Sequence, residues 1–184
     1  MTSAVAISGS PSRESRSRRL LAHALARCAG AGLDTRLIDL CDLPADDLLG
    51  RTKSAAIADA LAAVSAARIV IVGTPVYRAS YSGMLKVFFD LFTMDALDGK
   101  VAIPIATGGG SAHQLVIDHA LRPLLASVGA QVVATGIYAT DAQFGADGPQ
   151  DVVTQRIDRA VAEALGIADV AAVAAQPFRA ASKG

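Results

Sequence analysis

Short β-branched apolar runs alternate along the chain with Ala- and Leu-rich stretches of helical period. Ala4 to Ser8 reads as a first strand. Ser15 to Ala29 reads as a helix closed by Gly30 or Gly32, since glycine readily adopts the left-handed turn that ends a helix. Thr35 to Leu40 is a second, weaker strand, and Ser54 is placed to cap a helix running to about Ala67. Arg68 to Gly73 (RIVIVG) carries an unbroken apolar run, the pattern of a strand buried on both sheet faces. Ser82 caps a helix through Phe92, and Lys100 to Thr107 is a fourth strand. Ser111 to Val128 reads as a helix ended by Gly129, Gln131 to Tyr138 as a fifth strand, and Pro149 to Leu165 as a last helix with Gly166 after it.

This rhythm predicts one α/β domain: a flavodoxin-like, doubly wound, five-stranded parallel sheet of order 2-1-3-4-5 with helices on both faces. The domain is expected over residues 1–166, and 167–184 as a peripheral, partly flexible C-terminal extension. Of the 184 residues, 52% are apolar and 18% charged, which supplies a full core without disulfides or a metal site. Seventeen basic residues balance seventeen acidic ones, which argues against nucleic-acid or anionic-membrane partners. Cys28 and Cys41 form neither a redox pair nor a zinc pattern. Met1 to Ile7 lacks a signal-peptide pattern, and no apolar run reaches the ~20 residues that span a bilayer. The expectation is a soluble cytoplasmic protein.

In this fold ligands bind beyond the carboxyl ends of the strands, near the switch point between the first and third. Three loops there are unusual. The first, Ser8 to Ser17 (SGSPSRESRS), is neither a dinucleotide fingerprint nor a Walker loop. It offers hydroxyls at Ser10, Ser12, Ser15 and Ser17, guanidinium groups at Arg13 and Arg16, and a helix N-terminus whose free amides favour an anion. Its natural occupant is a mononucleotide phosphate, although serines also cap helices for purely structural reasons. In the second loop Pro75 stiffens the turn, Val76 and Tyr77 form a flat apolar edge for an aromatic ring, and Arg78 is a candidate contact to a 2′-phosphate. The third, Thr107-Gly108-Gly109-Gly110, permits close backbone approach and exposes several amides. Together the loops suit FMN, with its phosphate on the first and its ring against the second and third.

The segments GSPSRESRS, TPVYRASYSGMLKVFFDL and KVAIPIATGGGSAHQLVIDHALRPLLASVGA resemble the NAD(P)H-dependent FMN reductases, nearest to those of two-component alkanesulfonate monooxygenase systems. The resemblance covers roughly Ala4 to Tyr138. It implies oxidation of NAD(P)H, FMN as a loosely held substrate, delivery of reduced FMN to a separate FMN-dependent monooxygenase, and a homodimer or homotetramer. The subgroup usually carries arginine where this chain has Ser12, so Arg13 and Arg16 both stand as candidates for the phosphate. Pro123 lacks the N–H that would reach the carbonyl of His119, which predicts a one-residue π-bulge near Asp118 to His119. The resembling subgroup places such a bulge at a subunit interface, which makes His119 a candidate modulator of flavin release. No side chain is expected to act as acid or base.

Three rivals remain at the level of sequence. One is an enzyme of the same fold that keeps FMN as a prosthetic group and reduces a quinone, an azo compound or chromate. A flavodoxin-type carrier would be strongly acidic, whereas this chain is neutral. A signalling receiver would need an acidic cluster after the first strand, where this chain reads Ser-Gly-Ser.

Overall fold

The computed structural model describes residues 3–146 and 148–174. Strands β1 (Ser3–Ser8), β2 (Asp34–Asp39), β3 (Ile69–Pro75), β4 (Val101–Gly108) and β5 (Gln131–Val132) lie in the order β2-β1-β3-β4-β5, every pair parallel. A further strand, β6 (Ile137–Thr140), continues the β5 position along β4. The predicted flavodoxin-like order is thus realised. No helix among the described residues is long and apolar enough to cross a membrane.

Alternation along the central strands builds two cores. Val5, Ile7, Val70 and Val72 face α3 (Ala55–Ala66), α4 (Gly83–Phe89) and α5 (Arg122–Ala126). Ala4, Ala6, Ile69, Ile71 and Ile103 face α1 (Arg16–Gly30) and α6 (Asp151–Ala174). At Gly73 a Cβ would lie 2.7 Å from Leu21 Cγ, so α1 packs on β3 at a distance only glycine permits. The caps sit where the sequence places them. Ser15, Ser54 and Ser82 each accept a backbone N–H of the first turn of α1, α3 and α4. The chain also forms a short α2 (Ala45–Leu48) and a small hairpin, β7 (Phe144–Gly145) and β8 (Gly148–Pro149).

Four elements differ from their expected extents. The fifth strand is interrupted between Val132 and Ile137. Val133 N–H donates to Ala102 O, so in the parallel ladder Ala102 and Pro104 both turn their backbone groups toward that side. Pro104 has no N–H to offer, and the ladder breaks beside it. The freed groups find side chains: Arg122 donates to the carbonyls of Val133 and Ala134, Arg156 to that of Gly136, and Thr135 N–H donates to Glu163. The expected helix from Ser111 to Val128 is likewise divided into a 3-10 turn (Ser111–His113), a π-helix (Ile117–Leu121) and α5. The π segment covers the position predicted from Pro123, and Arg122 N–H bonds five residues back to Ile117 O. Helix α4 ends at Phe89, with Leu91 and Phe92 continued in tighter three-residue bonds, the usual fraying of a last turn. Helix α6 runs past Gly166 to Ala174, because Ala164 and Ala168 stay in the core and Ala168 O accepts from Arg68. That packing outweighs the ~1 kcal/mol helix penalty of glycine. The rest of the expected extension, 175–184, lies outside the described residues.

Candidate functional site

The carboxyl ends of β1, β3 and β4 open onto one cleft of about 530 Å³, within the usual range for small-molecule sites. Its loops are tied together by backbone bonds. Gly9 N–H donates to Gly73 O at 2.8 Å, and Val76 N–H to Thr107 O at 2.7 Å. Ser82 ties the ends of β1 and β3 to α4 at the base: its hydroxyl donates to Gly9 O, its N–H donates to Thr74 Oγ1, and its oxygen caps α4.

At one end the first loop presents donors. Ser10 Oγ accepts Ser12 N–H, Ser12 Oγ accepts Glu14 N–H and Ser15 Oγ accepts Arg18 N–H. A hydroxyl that already accepts still has its proton to donate. The first-turn amides of Arg16 and Ser17 have no partner among the described residues. This end therefore suits an anion held by amides, hydroxyls and a guanidinium.

At the other end Pro75, Val76 and Tyr77 face Thr107, Gly108 and Gly109 across the cleft. Tyr77 and Ser80 exchange both backbone bonds around a two-residue turn, with Arg78 and Ala79 at φ of 50° and 63°. Two non-glycine residues in the left-handed region store strain beside the cleft. The Gly-rich loop rests on Tyr138, whose hydroxyl donates to Gly110 O at 2.6 Å. Burial first, and the Asp141 carboxylate second, push the Tyr138 phenol above its ordinary pKa, so it stays a neutral donor. One end suited to an anion and another with a flat apolar edge and close backbone approach fit FMN.

The family model described as NADPH-dependent FMN reductase matches residues 2–145. The chain belongs to that family. It is accordingly a flavin reductase, an oxidoreductase that works with FMN and NAD(P)H. The chain is 43% identical over 140 residues to an FMN reductase (NADPH) of Pseudomonas putida, covering 76% of this chain and 71% of that protein. It is 41% identical over 144 residues to the NADH-dependent FMN reductase SfnF of Pseudomonas fluorescens, covering 76% and 77%. Among solved structures, the apo form of the NADH:FMN oxidoreductase EmoB superposes with a TM-score of 0.82 at 38% identity, covering 96% of this chain and 92% of that one.

Of the residues singled out from the sequence of this reductase, Ser10, Ser12, Ser15, Arg16, Pro75, Val76, Tyr77, Thr107, Gly108 and Gly109 line the cleft. Others lie elsewhere. Arg13 turns away to an exposed pair with Asp42, so of the two candidate guanidiniums Arg16 is the one in the cleft. Ser17 is buried under the loop, 3.3 Å from Ser15 Oγ. Arg78 is on the strained turn, and Gly110 is engaged through its carbonyl with Tyr138. His119 borders a separate groove with His113, Leu115 and Ala79. Three further residues that the sequence reading did not single out line the cleft: Glu14, Arg19 and Asp141. Arg19 follows Arg16 by three residues on one helix face, and Asp141 follows the fifth strand position. Extending the carboxyl-end rule from three strands to that one would have found Asp141.

Proposed function

We propose that this reductase takes up FMN as a substrate, reduces it with NAD(P)H, and releases it to a separate flavin-dependent monooxygenase. The single observation behind this reading is the make-up of the cleft. It is open, and its ring end is lined by Pro75, Val76, Tyr77 and the backbone of Thr107 to Gly109.

FMN supplies the hydride-accepting N5, and the balance is NAD(P)H, FMN and a proton giving NAD(P)+ and reduced FMN. The chain holds the two ring systems face to face and aligns them, the kind of positioning that lowers the barrier without an acid or base. We assign the phosphate to Ser10, Ser12, Ser15, Arg16 and the first-turn amides of α1. The ring is assigned to Pro75 to Tyr77 and to the amides of the Gly108–Gly109 loop, which favour negative charge on its pyrimidine edge. Val76 and Tyr77 are fixed by the strained turn, which gives them a defined surface with little side-chain bonding to the ring.

The resemblance to reductases of two-component alkanesulfonate systems supports a sulfonate monooxygenase as recipient. The same resemblance supports a homo-oligomer with His119 close to a subunit contact. Half-exposed Leu115, lining the His119 groove, suits such a contact.

The test is NADH and NADPH oxidation by extensively desalted protein against added FMN from zero. Saturable oxidation that is absent without FMN and consumes many equivalents per protein is expected. Oxidation by a yellow protein without added FMN would instead mark a prosthetic flavin serving a quinone, azo or chromate acceptor.

A further inference from the structure

The arginine that serves the anion end is already engaged. Arg16 Nη1 lies 2.9 Å from Asp141 Oδ1, and its guanidinium carbon stands 5.8 Å from the centroid of the Phe144 ring. Asp141 opens the 3-10 turn that follows β6 and lines the same cleft. Both side chains are close to half exposed, at 48% and 47%. Such a pair opens readily, since an exposed ion pair is worth at most about 1 kcal/mol.

The other cations of the segment are no substitute. Arg13 is paired with Asp42, and Arg18 holds Asp39 through two contacts near 3 Å. Arg19 lines the cleft, but Glu14 lines it too. Two cations and two carboxylates thus face the anion end. A phosphate settling on the first-turn amides must draw Arg16 from Asp141 and then lie near that carboxylate.

We propose that Asp141 sets the affinity for the flavin phosphate by competing with it for Arg16, and so keeps FMN exchangeable. This rests on the reading of the cleft as the FMN site. Asp141 acts on the flavin phosphate through its contact with Arg16. It is a specificity-determining residue with no part in hydride transfer. An enzyme that must give its flavin away gains from a carboxylate that takes back the guanidinium as the phosphate leaves.

Asp141→Asn is nearly isosteric and keeps a polar residue at the start of the turn. Flavin-fluorescence titration is expected to show FMN binding about 5-fold tighter, the ratio that 1 kcal/mol corresponds to. Binding of riboflavin, which lacks the phosphate, should be unchanged. The KM for FMN should fall with its Kd, by a larger factor than any change in the single-turnover rate of flavin reduction. In an Arg16→Gln background the same substitution should change FMN affinity less than 2-fold.

FMN affinity that is unchanged or weakened in Asp141→Asn would overturn the proposal, the latter by showing that Asp141 holds Arg16 ready for the phosphate. Equal tightening of FMN and riboflavin would also overturn it, because the effect would not lie at the phosphate. A wild-type protein that neither binds FMN nor oxidises NAD(P)H in its presence would remove the cleft reading itself. A wild-type protein that reduces FMN beside an unaltered Asp141→Asn variant would remove only the role of Asp141.

Discussion

Tyr138 meets the glycine loop at two points. Its hydroxyl bonds the carbonyl of Gly110, and the same oxygen lies 2.3 Å from where a Cβ on Gly108 would be. The loop is therefore both pulled and spaced by one phenol. Gly108→Ala should destabilise the fold by about 1–3 kcal/mol, the usual cost of overpacking, and raise the KM for FMN. Tyr138→Phe alone should cost about 1 kcal/mol for the lost hydrogen bond. The two together should be more stable than Gly108→Ala alone, because without the hydroxyl the nearest ring atom stands at 3.3 Å. Urea denaturation of the three variants decides this, and a double variant no better than Gly108→Ala would refute the contact. None of this was legible in the sequence. Three consecutive glycines announce close approach to something, but not that one partner is an aromatic hydroxyl from a strand thirty residues on.

Among the elements, those governed by local pattern were readable and those governed by distant partners were not. The apolar run of β3 and the serine caps of α1, α3 and α4 follow from neighbouring residues alone. So does the π-helix, because Pro123 withholds a donor from the turn before it. The break between β5 and β6 needs knowledge that Pro104 faces it and that Arg122, Arg156 and Glu163 supply what the ladder lost. Arg122 is the joint between these two irregular elements: its Nε bonds Asp118 of the π-helix at 2.8 Å, and its two terminal nitrogens bond Val133 O and Ala134 O at 2.6 Å. Arg122→Lys keeps the charge but lacks the planar fork. It should cost about 1–3 kcal/mol in chemical denaturation, as carbonyls lose their partners. A loss no larger than that of a surface lysine exchange would show that the fork is dispensable.

Over the whole molecule, the strand order and the position of the cleft follow from the β-α rhythm. The charges that finish the cleft do not, because Arg16 and Asp141 meet only through the folded sheet. Acid stability belongs to this scale too. The hydroxyls of Ser54 and Thr52, in that order, hold the carboxyl of buried Asp47 below the usual carboxylate range. The Thr135 hydroxyl, helped by its N–H and by Arg159, does the same for Glu163. A carboxyl lowered in the folded state stabilises that state fully above its unfolded pKa of about 4, and stops doing so as the pH falls through the lowered value. Stability should therefore be flat near neutrality and decline below about pH 4. Asp47→Asn should lower the denaturation midpoint at pH 7 and flatten its decline from pH 5 to 3. A variant with the wild-type pH dependence would acquit Asp47 of that role.

The interrupted strand bears on how the protein behaves among its neighbours in a crowded solution. A sheet that ends in a long, regular strand offers a row of free amides and carbonyls on which a foreign strand can add, and so a start for aggregation. Here the last strand position is two short pieces, β5 and β6, and the backbone between them is occupied by two arginines and a glutamate. A proline in β4 has thus left the outer margin of the sheet a poor template for a stranger.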